Sequence, residues 1–589
     1  MESRPRYSIQ LRLSTWFIFI NFTIFKVFGK QNILMIVVDD LRPSLGCYGD
    51  PNAVTPNIDL LAKRGVLFTQ AFAQQALCAP SRNSFLTSRR PDTLKLYDFY
   101  SYWRDKIGNF STLPQHLKSH GYTTMSIGKV FHPGSSSNGS DDSPYSWSEK
   151  PFHPYTDRYK DAQLCQTTPN SIPARNIVCP VYVPHMPNET LPDIETLRAA
   201  KSFLFKHRGD KRPFFLAVGF QKPHIPLKYP RKYLEHHPLE KFDVPDNYKW
   251  SENVSYTAYN PWLDLRKRDD VKKLLLKFPF QKIPRDYAKL IIQSYYAAVT
   301  YIDDLIGLLL KQLAVYNIER FTSIVLISDH GWSLGEHGEW AKYSNFEVAL
   351  RVPVIIAIPQ VTFDPWIEST YTTKKFSLIQ NSDCSPKLGC IQNRHQKKGY
   401  VISDAMIELV DIFPTIADLT NLPIPLCIDD KDYEYKYKSN STSMSSNLCS
   451  EGVSFLPVIY ATMYKKIIPW KKAVFGQYPR PGVIPTRNPN SDEPRLREIT
   501  IMGYTIRTAE YRYTAWASFN SSIVKADWSA IIAEELYNHK LDSEENLNLC
   551  TLPEFSRIKN KLRKQLKNGW RKALPYRYKY GAGAETGGA

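Results

Sequence analysis

Asp39 and Asp40 close an apolar run, Gln31 to Val38, and Asp329-His330 close another, Ser323 to Ser328. Three carboxylates and one imidazole make a divalent-cation set, and the oxygen-rich balance favours calcium or magnesium over zinc. An Asp-Asp pair alone is more often a helix cap or a solvated turn. Its recurrence at the ends of buried runs is what favours a metal site. Cys78-Ala-Pro-Ser-Arg82 carries different chemistry. Pro80, followed by Ser-Arg-Asn-Ser-Phe-Leu, reads as a helix start, and the free N–H groups and positive dipole end there form an anion site. A cysteine at that place is a low-pKa nucleophile; the alternative is a buried structural thiol. His132 and His224 each adjoin a proline, Pro133 and Pro223, so both read as loop residues. Lys129 follows Gly128 after a short apolar stretch. Trp332 and Trp340 read as core residues before sugar platforms.

Cys-x-Pro-Ser-Arg resembles the signature of the type I, formylglycine-dependent sulfatases. Longer stretches extend the resemblance in colinear order over roughly 31–550: Val38-Asp39-Asp40-Leu-Arg-Pro-Ser-Leu-Gly-Cys-Tyr-Gly-Asp50, Gly128-Lys-Val-Phe-His-Pro-Gly134, Lys222-Pro-His-Ile-Pro226, Ser328 to Phe346, Gln477-Tyr-Pro-Arg-Pro481 and Ile501 to Arg507. They look like the branch that removes 2-O-sulfate from L-iduronate in heparan and dermatan sulfate. His330, where many family members have Asn, belongs to that likeness.

The resemblance implies an alkaline-phosphatase-like fold and a single calcium ion held by Asp39, Asp40, Asp329, His330 and the modified Cys78. It implies that a formylglycine-generating enzyme oxidises Cys78 during synthesis, and that the hydrated aldehyde attacks sulfur. Arg82 and Lys129 would hold the hydrate and the sulfate. His132 would take a proton from the second hydroxyl and so expel sulfate. His224 and Lys342 would contact the sulfate ester, His224 protonating the leaving sugar oxygen and Lys342 neutralising sulfate charge. The modification signal departs from the family's Leu-Thr-Gly-Arg as Leu86-Thr87-Ser88-Arg89. Alternatives are a sulfatase of the same branch acting on another sulfated sugar, and an inactive binder of sulfated glycans with Cys78 unmodified. A two-zinc phosphatase relative would put a hydroxyl residue at position 78.

These residues need rigid elements behind them. Further apolar runs at Phe214–Phe220 and 352–358 read as buried strands. Asn57–Arg64 reads as a helix ended by Gly65, Thr112-Leu-Pro opens another that stops at Gly121, and Asp286–Leu313 is a long amphipathic helix with Tyr295 on its apolar stripe. Strands alternating with helices predict a doubly wound α/β fold, with ligands beyond the carboxyl ends of the strands. The expected division is a signal peptide over 1–29, a large catalytic part with a mixed, mostly parallel sheet over 30–438, an exposed Ser/Asn-rich loop over 439–450 that is a candidate proteolytic site, and a smaller α+β part with an antiparallel sheet over 451–556. A basic amphipathic helix over 557–580 and a disordered tail over 581–589 complete it.

Composition fits an exported enzyme. The chain of 589 residues is 43% hydrophobic, which excludes a disordered protein. Nine cysteines are too few for a small disulfide scaffold, but 165/179, 384/390 and 427/449 are plausible local pairs. Glycosylation sequons stand at Asn109, Asn138, Asn188, Asn253, Asn440 and Asn520. Together with the leading apolar segment they predict a lysosomal or secreted glycoprotein with no stable membrane span. The expected partner is a sulfated glycosaminoglycan and not nucleic acid, and the enzyme is expected to be a monomer. The net charge of +19 sits largely in the 557–580 stretch, which would tether the protein to polyanionic glycans or anionic surfaces. The body is then only mildly basic.

Overall fold

The computed structural model describes residues 31–166, 171–364, 399–427 and 447–575. The signal segment, the 384/390 pair, Asn440, most of the Ser/Asn-rich loop and the 581–589 tail lie outside the described residues. The four apolar runs form β1 (Asn32–Val38), β4 (Phe214–Phe220), β5 (Thr322–Ser328) and β6 (Arg351–Ala357), and the strands β2 (Val66–Phe72), β3 (Thr123–Gly128) and β7 (Val401–Ser403) join them. They lie in one sheet in the order β7-β2-β6-β5-β1-β4-β3, and the short strand Ile407–Glu408 also pairs with β2. Central β1 runs parallel to β4 and β5, with Ile36 opposite Val218 and Leu326. Both faces of these strands are covered, which is why they read as continuous apolar runs. β6 is antiparallel to both of its neighbours, so the sheet is mixed.

Eight helices matter here: α1 (Pro56–Lys63), α2 (Cys78–Thr87), α3 (Leu113–Ser119), α4 (Pro192–His207), α5 (Arg285–Val315), α6 (Ile412–Leu419), α7 (Leu456–Met463) and α8 (Ser556–Asn568). Alternate residues of β1 feed two cores. Leu34, Ile36 and Val38 pack with Phe203 and Leu204 of α4 and with Ile302 of α5. Ile33, Met35 and Val37 pack with Leu117 of α3, Phe413 of α6 and Ile459 of α7. Thr112 caps α3 in a capping box with Gln115, whose N–H donates to Thr112 Oγ1 at 3.1 Å. Gly65 serves another purpose than the expected left-handed stop. A Cβ there would lie 2.6 Å from the Ile356 carbonyl, so the glycine permits a close approach to β6.

A second, antiparallel sheet follows: β8 (Ala473–Arg480), β9 (Ile501–Thr508), β10 (Tyr511–Asn520) and β11 (Lys525–Asn538), paired in sequence order. The stretch read from position 451 as a smaller unit opens differently: α7 lies in the large sheet's core, and the second sheet begins only at Ala473. The basic helix is also shorter than 557–580. It ends at Asn568, where Gly569 takes φ +77°. Trp570 then leaves the helix and its ring lies 5.0 Å from the Arg90 guanidinium. Leu562 and Leu566 of α8 are buried against Ile506, Tyr513 and Leu536. Disulfides join Cys165 to Cys179 and Cys427 to Cys449. No helix among the described residues is long and apolar enough to cross a membrane.

A buried ion cluster joins the two sheets. Arg90 reaches both carboxylate oxygens of Glu408 at 2.8 and 2.9 Å, Lys471 sits 2.7 Å from Glu408, and the Phe475 N–H of β8 donates to Glu408 at 3.0 Å. Burial pushes the Glu408 carboxyl up, but Arg90 and Lys471 outweigh it and hold the pKa at about 2. The folded value is depressed, so this carboxylate's stabilisation is present above the ordinary 4.5 and disappears as pH falls toward about 2. Glu408→Gln takes the paired carboxylate from the buried Arg90, while Lys471 keeps Asp411 at 2.6 Å. We expect a loss of about 3–5 kcal/mol in denaturant unfolding at pH 5. A loss below about 1 kcal/mol there would contradict the cluster's role.

Candidate active site

Cys78 and Arg82 lie one helical turn apart on the same face of α2. α2 is buried along its whole length, with Cys78 as its first residue. Arg82 points at the carboxyl ends of β1 and β5: Nη2 lies 2.9 Å from Asp39 Oδ1 and Nε 2.9 Å from Asp329 Oδ2. Its Nη1 also donates to the Val130 carbonyl at 3.0 Å. This fork fixes α2 against the strand ends and carries Cys78 into their midst. The thiol Sγ is 3.0 Å from Lys342 Nζ, 3.3 Å from His330 Nε2, 3.6 Å from Asp39 Oδ1 and 3.8 Å from Lys129 Nζ. Burial and Asp39 raise the thiol's pKa, Lys129 and Lys342 lower it, and the net shift is downward. Such a cysteine is an ionisable, reactive group.

Lys129 pairs with Asp39, and Lys342 lies 2.8 Å from Asp40 Oδ1. Lys129 reaches its place because β3 and β4 approach closely. A Cβ on Gly219 would lie 2.0 Å from the Lys129 carbonyl, and one on Gly128 2.2 Å from the Gly219 carbonyl. Asp40 itself adopts φ +59°, turning the chain sharply after Asp39. Its N–H donates to Asp329 Oδ1 at 3.1 Å and its carbonyl accepts from Tyr295 O–H at 2.8 Å. His330 Nε2 lies 3.4 Å from Asp40 and 3.5 Å from Asp329, while Nδ1 lies 3.0 Å from the Gly331 carbonyl. That contact makes Nδ1 the donor and turns Nε2 inward.

The ligand atoms of Asp39, Cys78, Asp329 and His330 lie within 4.8 Å of one another, as do those of Asp39, Asp40, Cys78 and His224. Asp40 Oδ2 is buried without a hydrogen-bond partner. Burial pushes the Asp40 carboxyl up to about 7 despite Lys342. An unpartnered buried carboxylate oxygen in an oxygen-rich group fits a hard divalent cation. His224 Nε2 faces Asp40 at 3.9 Å, and Nδ1 lies 2.6 Å from the Ile225 carbonyl. His132 stands further out. Its ring packs on Phe99 at 4.3 Å and its Nδ1 is buried without a partner. Both histidines are in loops. Trp332 and Trp340 are fully buried core residues.

The sulfatase family profile matches residues 31–422. The chain belongs to the sulfatase family. It is 45% identical over 511 residues to iduronate 2-sulfatase of Homo sapiens, spanning 86% of this chain and 88% of that one. The Mus musculus iduronate 2-sulfatase is 44% identical over the same shares of the two chains. Among solved structures, a 2-O GAG sulfatase superposes with a TM-score of 0.58 at 19% identity over 92% of each chain. The phosphonate monoester hydrolase of Agrobacterium radiobacter superposes with a TM-score of 0.62 at 18% identity, over 92% of this chain and 95% of that one. This sulfatase therefore has the alkaline-phosphatase-like fold that its motifs imply.

Several supporting residues escaped the sequence. Tyr295 stood on an apolar stripe, and only its hydroxyl distinguished it from packing. Arg480 of β8 donates to the carbonyls of Tyr343 at 2.7 Å and Thr257 at 3.0 Å, so the second sheet braces the turn that carries Lys342. Lys222 Nζ donates to the carbonyls of His224 and Pro226, bracing the His224 loop. Ser88 ends α2 in the left-handed conformation, φ +51° and ψ +38°, which accounts for the family's glycine there. Its hydroxyl makes a hydrogen bond with Ser450 Oγ at 2.7 Å and donates to the Val410 carbonyl. Those bonds offset the left-handed penalty. Ser88→Ala keeps the strain and loses the bonds, so it should cost about 1–3 kcal/mol. Ser88→Gly should lie closer to wild type, because it removes the strain. Thermal unfolding of the three proteins tests the order, and an alanine variant as stable as wild type would overturn it.

Proposed function

We propose that this sulfatase removes 2-O-sulfate from L-iduronate residues of heparan and dermatan sulfate, using calcium and a formylglycine made from Cys78. The observation that carries the reading is the placement of Cys78 at the head of a buried helix, within hydrogen-bonding reach of Lys342 and His330. The likeness to the two iduronate 2-sulfatases supports the sugar specificity.

Asp39, Asp40, Asp329 and His330 would hold the calcium ion, which supplies positive charge beside the nucleophile and the sulfate. Formylglycine supplies a hydrated aldehyde as nucleophile in place of the thiol. The chain's own groups do the rest. Lys129 and Lys342 converge on position 78 and neutralise the sulfate there. Arg82, spent on Asp39 and Asp329, orients α2 and offsets the repulsion between the two carboxylates. His224 directs Nε2 into the site because Nδ1 is committed to Ile225, so Nε2 can carry the proton for the departing sugar oxygen. Burial and the charges of Lys129, Lys160 and Lys342 push the His224 pKa well below the usual imidazole value. The acid form is therefore favoured by low pH and by the negative charge of bound sulfate. His132, half-buried and likewise held neutral by desolvation and the charge of Lys129, suits the role of base that expels sulfate.

Lysosomal or extracellular residence follows from the same reading. Five sequon asparagines lie in the described residues (Asn109, Asn138, Asn188, Asn253 and Asn520), and all five are exposed. The two disulfides agree with passage through an oxidising compartment. A glycosaminoglycan substrate, activation by a formylglycine-generating enzyme and a monomeric state complete the proposal. A panel of sulfated disaccharides tests it: sulfate release should be fastest from a non-reducing 2-sulfo-L-iduronate. No release from that sugar, with turnover of a differently sulfated disaccharide, would move the enzyme to another substrate within the family.

A further inference from the structure

Three lysines line one recess beside the His224 loop: Lys160, Lys222 and Lys228. Two are already engaged. Lys222 Nζ donates to the His224 and Pro226 carbonyls, and Lys228 Nζ donates to the Tyr159 and Lys160 carbonyls at 2.9 and 3.3 Å. The side chain of Lys160 makes no hydrogen bond or ion pair among the described residues, and Asp161 and Asp157 act on its charge only at a distance. Asp157 is instead held by Gln221 Nε2 at 2.9 Å, and Asp161 by Arg268 at 2.8 Å. Lys129 and Lys342, the other lysines whose charge bears on His224, are paired with Asp39 and Asp40. Lys160 thus carries a positive charge with no paired carboxylate among the described residues on this side of the site. Solvent reaches it, yet surrounding protein and Lys129 lower its ammonium pKa. That combination describes a group on the wall of a concavity with room for a directly paired anion.

The scissile sulfate is served by Lys129 and Lys342, so Lys160 is available for a second anion on the same substrate. Resting on the functional reading above, we propose that Lys160 is a specificity-determining residue that binds the carboxylate of the sulfated uronate. An ammonium partly removed from water gains most from a fixed anion, whereas a neutral hexose would leave it unpaired. Lys160 then selects uronates over neutral sulfated sugars without touching sulfur, and Lys222 and Lys228 shape its recess by holding the backbone around it.

The test compares kcat/KM of full-length wild type and Lys160→Met on three substrates. These are a 2-sulfo-L-iduronate disaccharide, its carboxyl-reduced counterpart, and the first disaccharide without the sulfate on the neighbouring sugar. Wild type should prefer the carboxylate over the carboxyl-reduced form, and Lys160→Met should lower that preference by about 10- to 100-fold, mostly through KM. Lys160→Arg should restore part of it. Because the side chain makes no internal bond, the melting temperature should not move, which separates binding from scaffolding. An unchanged preference in Lys160→Met, with wild type active on the uronate, overturns the Lys160 assignment alone. So does a loss that follows the neighbouring sulfate instead. Failure of wild type to desulfate either uronate overturns the functional reading, and the carboxylate assignment with it.

Discussion

The buried guanidinium of Arg82 is the constraint on which the site depends. It has no solvent contact and bridges two carboxylates from the ends of different strands. An unpaired buried arginine would cost several kcal/mol, so the carboxylates must be present and ionised for α2 to dock. Once α2 is docked, helical geometry fixes Cys78 one turn away, facing the same carboxylates. The sheet's parallel core sets the positions of Asp39 and Asp329, because β1 and β5 run side by side with Val38 opposite Ser328. Stability and chemistry therefore meet at one residue.

The second sheet serves the site from outside. Arg480 braces the segment after Lys342, and the Arg90–Glu408–Lys471 cluster ties the end of α2 to the start of β8. The Cys427–Cys449 disulfide belongs to the same brace, since Arg89 donates to the Cys449 carbonyl and Ser88 contacts Ser450. Position 88 shows how a family glycine can be replaced. The left-handed backbone stays, and a hydroxyl with two partners stands where the missing Cβ gave freedom.

Much of this was legible in the residues. Strands covered on both faces leave unbroken apolar runs, so β1, β4, β5 and β6 are readable, and Asp39-Asp40 and Asp329-His330 mark their ends. The antiparallel direction of β6 is not written in such a run, because a strand buried on both faces looks the same either way. Helix α7 looked like part of the smaller unit because its membership is decided by three-dimensional packing, not by position after a polar loop. The basic terminal helix stops early because Gly569 turns the chain, while the charge pattern runs on past it. At the site, the motifs identify the residues that meet Cys78. The residues that orient them, Tyr295, Lys222 and Arg480, lie on unrelated elements and reveal themselves only through contacts. Lys160 sits in no motif at all.

The proposed function requires that these strand ends and α2 present position 78 as an aldehyde nucleophile. Mass spectrometry of the peptide containing residue 78, from protein made in a secretory host, addresses it most directly. The peptide should carry formylglycine and be captured by an aminooxy probe. A cysteine thiol at position 78 in all of the secreted protein would contradict that requirement and would leave a binder of sulfated glycans in place of an enzyme.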